Sequence, residues 1–255
     1  MSRSTKIFLV TDVEYHMAPS FLILSACSGE KAFDEVVTCA DIDGSSKEEL
    51  VNGHPDRSLP ARSLYTGDEH GHVTEAVDRF EAIADVDWRI ISAGFGLVRP
   101  DTELPAYECT FRNTDSVRRR VERMGYDSDA LTQPEQIQRV ARGLGIPDEI
   151  EEALEDGIDV AFVVLGEDYL NAAGSSLSSI PEDCTAFAFA AEGNRDLIGD
   201  CQWVPSTETE RDALGTTWTQ VKGFQLKNVA DNVASAEDLL NLETVASVRE
   251  NSLSF

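Results

Sequence analysis

Short continuous apolar runs alternate along this chain with stretches whose apolar residues return every three or four positions. Lys6-Ile-Phe-Leu-Val-Thr and Ser20-Phe-Leu-Ile-Leu-Ser are of the first kind and predict buried strands. Trp88-Arg-Ile-Ile-Ser, Asp159-Val-Ala-Phe-Val-Val-Leu-Gly and its expected partner Cys184-Thr-Ala-Phe-Ala-Phe-Ala-Ala read the same way. Helical spacing marks His72 to Ala84, Thr114 to Met124, Gln133 to Leu144 and Asp148 to Asp156, with Pro134 at a first-turn position. Ser28 to Val51 reads as acidic loop, Asn52-Gly-His-Pro-Asp as a turn cluster, and Gly94 to Asp101 as a loop. Strands alternating with helices predict an α/β fold, a single domain with a largely parallel central sheet flanked by helices. The expected division is an N-terminal strand extension over 1–18, the α/β domain over 19–230, and a C-terminal helical appendage over 231–255.

Charge changes this picture more than length does. The 255 residues are 42% apolar, enough for a core, but 47 Asp+Glu stand against 21 Lys+Arg, a formal net charge of −26. Only five lysines accompany sixteen arginines. Such a charge opposes a compact state through self-repulsion. At about 1 M salt the screening length falls to roughly 3 Å and most of that repulsion disappears. A halophile's cytosol is the economical explanation, and an acidic mesophilic protein the alternative. Charge-driven binding to nucleic acid is excluded as a simple reading.

No stretch approaches the roughly 20 apolar residues of a membrane span. Acidic residues follow the first apolar run too soon for a signal peptide. The expectation is therefore a cytoplasmic protein without a membrane partner, its oligomeric state left open. The five cysteines are an odd number and form no C-x-x-C, so neither a disulfide framework nor a zinc knuckle is expected. Four read as small buried apolar residues.

Cys27 is the exception. Ser25-Ala-Cys-Ser-Gly-Glu-Lys follows a predicted strand, where open α/β sheets usually bind ligands. A helix N-terminus nearby would favour thiolate at Cys27; the alternative is a structural thiol. Lys31 is either a partner of that thiol or a solvated surface charge. Leu64-Tyr-Thr-Gly-Asp-Glu-His, Ser92-Ala-Gly-Phe-Gly-Leu-Val-Arg-Pro and Gly166-Glu-Asp-Tyr are three further strand-end loops. In the second of these, two glycines would let backbone approach a ligand, and Arg99 suits phosphate or carboxylate. A tight turn with Arg99 paired to Asp101 or Glu103 accounts equally for it. Gly94-x-Gly96 lacks the third glycine and acidic partner of a dinucleotide fingerprint, so no nucleotide cofactor is expected. His70 and His72 lack the further ligands of a metal sphere and read as exposed histidines at a helix start. No G-x-S-x-G elbow supports a serine nucleophile.

At these loops the chain resembles the peroxide stress protein YaaA family. The resemblance is carried by Leu64-Tyr-Thr-Gly, by Ile90-Ile-Ser-Ala-Gly-Phe-Gly-Leu-Val-Arg-Pro-Asp-Thr-Glu-Leu-Pro-Ala-Tyr and by Val163-Val-Leu-Gly-Glu-Asp-Tyr, in the family's order and approximate spacing. Ala61-Arg-Ser-Leu-Tyr and Ile91-Ser-Ala-Gly-Phe-Gly-Leu are closer still to a related group of short uncharacterised proteins. Ser25-Ala-Cys-Ser-Gly-Glu-Lys-Ala-Phe is also similar to the Ser-Pro-Cys-Ser-x-x-Lys-Pro-Tyr motif of the lysine-transferring domain of archaeosine synthase. Cys27, Ser28 and Lys31 carry over. Ala26, Ala32 and Phe33 replace the motif's prolines and tyrosine, and its closing histidine has no counterpart at its spacing. The match runs from about Ser20 to Ala191.

The resemblance implies a protein that acts on or binds nucleic acid or a modified purine base of the 7-deazaguanine type. Catalysis would fall to Cys27 and Lys31. The binding set would be Ser25, Ser28, Tyr65, Thr66, Gly67, Ser92, Gly96, Arg99, Tyr107, Glu167 and Tyr169, with Arg99 on a phosphate and Tyr65 or Tyr107 stacking a base. The other reading is a non-catalytic DNA-binding protein of oxidative stress. Arg118-Arg-Arg, Arg123, Arg139 and Arg142 are the chain's basic concentration, and they either touch phosphates or form a solvated helix face. Convergence of these six on the Cys27 loop would favour nucleic acid; scatter would favour a small molecule.

Overall fold

The computed structural model describes residues 19–254 and builds them around one six-stranded sheet. Its strands are β1 (Ser20–Ala26), β2 (Asp85–Ser92), β3 (Gly96–Val98), β4 (Val160–Val164), β5 (Thr185–Ala190) and β6 (Gln202–Pro205). In space they run β6-β5-β4-β1-β2-β3, parallel except for β3, which folds back on β2 as a hairpin. The expected α/β fold with a largely parallel sheet is what the structure shows. The expected strand at Lys6 lies outside the described residues, as does the 1–18 extension.

Both faces of the sheet are covered, which explains why β1 and β4 are apolar without alternation. Phe21 and Ile23 point to one layer, Leu22 and Leu24 to the other. The first layer contains α1 (Asp68–Phe80); the second contains α2 (Thr114–Arg123), α3 (Gln133–Gly143), α4 (Ile146–Glu155) and α5 (Glu167–Ala173). The first layer is completed by α6 (Val221–Asn232) and α7 (Val245–Leu253). Under it, the Phe162 ring stacks against Phe80 and Phe187 at 5.8 and 6.0 Å. The C-terminal segment is helical over Ala236–Leu240 and Val245–Leu253, with Leu239 and Val248 buried in that same layer.

The stretch expected as loop between Ser28 and Val51 contains two short helices, Cys39–Gly44 and Lys47–Gly53. Thr38 with Asp41, and Ser46 with Glu49, form capping boxes that stop each helix end from fraying.

The cysteine reading is corrected at one pair. Val37–Thr38 runs parallel to Tyr107–Glu108, in the register Val37 to Tyr107 and Thr38 to Glu108. The next residue of each strand is a cysteine, and Cys39 and Cys109 form a disulfide with their Cα atoms 5.2 Å apart. Spacing could not reveal this, because 70 residues separate them and a tertiary pairing brings them together. Closing so long a loop restricts the unfolded chain, so reduction is expected to cost about 2–4 kcal/mol. Melting with and without reductant measures it.

Candidate active site at the carboxyl edge of the sheet

From β1 the chain passes to β2 on one side, while β4 lies on the other. This reversal of strand order opens a crevice beyond the carboxyl ends, the usual place for a ligand in an open α/β sheet. Cys27 is the first residue past β1. Its amide donates to Ile91 O at 2.9 Å, and its side chain packs against both apolar layers.

The loop after it is held by Ser28. The Ser28 hydroxyl accepts from the amides of Glu30 and Gly67, each at 2.9 Å, and donates to Glu30 O at 2.8 Å. This ties the Cys27 loop to the N-cap of α1, which is Gly67. A Cβ at Gly67 would collide with Ser28 Oγ. Gly67→Ala is therefore expected to displace the loop and cost about 1–3 kcal/mol, the range for forcing atoms into a packed site. Its melting temperature measures the cost.

Around the thiol stand three phenols. Tyr169 Oη lies 3.0 Å from Cys27 Sγ. Beneath them Tyr65 Oη contacts Tyr107 Oη at 2.8 Å, and Tyr107 Oη contacts Ser92 Oγ at 2.7 Å. Ser92 Oγ already accepts from the amides of Gly94 and Phe95 at 3.2 and 3.0 Å, so its own proton goes to Tyr107. Tyr107 then donates to Tyr65. Burial pushes all three phenols above their ordinary range, with the charge of Cys27 adding to the effect, so they stay neutral. Lys31 pairs by backbone with Tyr65; its ammonium lies 4.6 Å from the centre of the Tyr107 ring and donates to Gly29 O. Burial lowers the Lys31 ammonium, and the charges of Cys27, Glu35 and Glu108 partly restore it.

Above the thiol is a cavity of about 580 Å³. Cys27, Ser28, Gly67, Glu167 and Tyr169, all expected from the sequence, line it. Much of the opposite wall was not expected. It comes from Arg112, from Asp68, Glu69 and His70 in the first turn of α1, and from residues 218–222 at the start of α6. Lys222 donates to Glu69 at 3.0 Å, and Gln220 donates to Asp68. Burial raises the Glu69 carboxyl, partly offset by Lys222. Asp168, also on the wall, is raised by burial and by Glu167.

His70 is buried rather than exposed, because the first turn of α1 tucks under Trp88 and Tyr65. A carbonyl can only accept, so Nε2 carries the proton in its 3.1 Å bond to Arg62 O. Nδ1 is then an acceptor, and it has no partner among the described residues. Burial lowers the imidazole below its ordinary value. The unfolded chain thus binds a proton near pH 6.5 that the folded chain refuses. Stability is therefore lost as pH falls below about 6.5. His70→Gln is expected to lose less on moving from pH 7.5 to 5.5, a difference that paired melts at fixed salt record.

Several expected site residues lie elsewhere. Ser25 is buried in the sheet, where its hydroxyl accepts from Trp88 Nε1 at 2.8 Å. Tyr65, Ser92 and Tyr107 belong to the layer beneath the thiol and do not line the cavity, so neither tyrosine presents a face for stacking a base. Thr66 is exposed and off the wall; its amide donates to Glu30 O. Gly96 opens β3 opposite Ser92 at φ +79°, just past the hairpin turn of residues 93–95 and facing Leu144 O, because the glycine-rich loop is a hairpin. β3 then carries Arg99 back along the edge of the sheet, away from the cavity, to an ion pair with Asp87 at 3.6 Å. Asp101 and Glu103 are not its partners.

The six arginines scatter, and none lines the cavity. Arg120 is buried and forked onto Asp43, with a further bond to Ala93 O. Arg123 joins the same carboxylate, Arg118 pairs with Glu122, and Arg139 lies over the Tyr126 ring. Among the described residues no cluster suits a metal ion, and no helix is long and apolar enough to cross a membrane. No protein-family model, curated protein or solved structure matches the chain.

Proposed function

We propose that this chain is a YaaA-like cytoplasmic enzyme that acts on a purine-type base, of the 7-deazaguanine kind, through covalent attack by Cys27. The observation that carries this reading is the placement of Cys27. It is the one free cysteine among the described residues that is not buried, and it opens into the switch-point cavity in contact with a neutral phenol. The attacking sulfur would add to an electrophilic carbon such as a nitrile, with the Lys31 ammonium, off the cavity wall but within range of the Cys27 charge, as the activating group.

Size and charge favour a base or nucleoside over a polynucleotide. A volume of about 580 Å³ is within the range of small-molecule sites. The wall carries Glu30, Asp68, Glu69, Glu167 and Asp168 against Arg112 and Lys222, which opposes a polyanion but offers acceptors to the N–H groups of a purine. The scatter of the arginines weakens the reading as a non-catalytic DNA-binding stress protein.

A thermal-shift series at molar salt tests the proposal, using guanine, a 7-cyano-7-deazaguanine base, its nucleoside and an oligonucleotide. The two deazaguanine compounds are expected to raise the melting temperature by an amount that grows with the logarithm of their concentration. Stabilisation by the oligonucleotide alone would replace this reading with the DNA-binding one.

A further inference from the structure

A thiol that adds to a carbon–nitrogen multiple bond must lose a proton, while the nitrogen must gain one. Tyr169 carries the hydroxyl in contact with the Cys27 thiol at the cavity. It stands in the first turn of α5, lines the cavity, and places Oη 3.0 Å from Cys27 Sγ. Its ring is fixed by an edge contact with Phe111 at 5.4 Å between centroids. The basic wall groups are unsuited to the transfer. Lys222 is held by Glu69, a guanidinium such as that of Arg112 does not release its proton, and Nδ1 of His70 has none to give. The hydroxyls of Ser92, Tyr107 and Tyr65 are bonded to one another beneath the floor.

We infer that Tyr169 is a catalytic residue that relays the proton from Cys27 to the nitrogen of the group under attack. The inference rests on the covalent reading above. In the step, an S–C bond forms and one π bond of the C≡N group opens, its electron pair moving to nitrogen. Nitrogen takes the phenolic proton of Tyr169, and the phenolic oxygen takes the thiol proton. The product is a thioimidate, the phenol is restored, and no oxidant or reductant is consumed. Burial keeps the phenol neutral, so it passes protons on without storing charge. A neutral relay also escapes the screening that molar salt imposes on charged groups.

The test compares two probes on Cys27, each followed by mass spectrometry of the intact protein. 2-Cyanopyrimidine requires protonation of a nitrogen; iodoacetamide does not. Both rates are followed over a pH series, so that a change in thiol ionisation is read apart from a change in the ratio of the two. Tyr169→Phe is expected to lower that ratio by about a hundredfold, the lower range for general acid–base catalysis. An unchanged ratio, including both rates falling together, overturns the inference. A second measurement needs no variant: heavy water is expected to slow nitrile addition to the wild-type protein more than it changes alkylation, and equal effects overturn the relay. A Tyr169-dependent nitrile reaction in a protein that binds no purine would remove only the purine reading. A purine adduct on Cys27 with an unchanged ratio would remove only the relay.

Discussion

The melting temperature of this chain is expected to climb steeply between about 0.1 and 2 M KCl, by about 2–4 °C for each kcal/mol of repulsion relieved in a chain of this size. The cause is the net charge of −26 confined to one folded body. The described ion pairs are already counted in that sum and offset its repulsion little. Arg62 with Asp78, Arg118 with Glu122 and Arg211 with Glu208 lie at the surface, where such pairs contribute little. Most acidic residues, among them Glu30, Asp34, Glu35, Glu152 and Glu192, are exposed. Their mutual repulsion is long-ranged at low salt and fades as the screening length shrinks from about 10 Å to a few ångströms. Potassium chloride and an equally concentrated neutral osmolyte separate this cause from general exclusion effects. A flat melting curve across the salt series would contradict it.

Cys27→Ser is expected to abolish covalent adducts at the cavity while changing the melting temperature little. The exchange replaces a sulfur that is half-buried at the junction of the two apolar layers by a smaller polar atom. Tyr169 Oη can still bond to it, and the backbone bond from residue 27 to Ile91 O is untouched. Chemically the loss is complete, because a serine hydroxyl ionises far less readily near neutral pH than a thiol and is the weaker nucleophile. Cys184 and Cys201 cannot substitute. Burial raises their thiols to about 11 and about 12, leaving almost no thiolate near neutral pH. Adduct counting on the variant against wild type measures this directly. Persistent adducts in Cys27→Ser would move the chemistry to another residue.

The sheet and half of the site were legible because their signals are local. β1 is an unbroken apolar run that stops at a Ser-Ala-Cys-Ser-Gly loop, and α1 shows Val73, Ala76, Val77 and Phe80 at helical spacing. Once those two are placed, Cys27, Ser28 and Gly67 fall together. The other wall was hidden for a physical reason. Helix α6 buries Val221, Gln225, Leu226, Asn228 and Val229 around much of its circumference, so it shows no polar face and no clear period. Lys222 reaches Glu69 across 153 positions of sequence, a pairing no local pattern encodes. Arg99 misled because two glycines read equally as a ligand loop and as a hairpin turn, and the hairpin won. Tyr65, Ser92 and Tyr107 do meet one another, but beneath the thiol and off the cavity wall.

Brief iodoacetamide treatment near neutral pH, with and without the 7-cyano-7-deazaguanine base, tests the central claim most directly. Mass spectrometry of the peptides should find Cys27 labelled ahead of Cys184 and Cys201, and protected when the base is present. Equal or slower labelling at Cys27, or labelling that the base leaves unchanged, would contradict the assignment of this cavity as the reacting site.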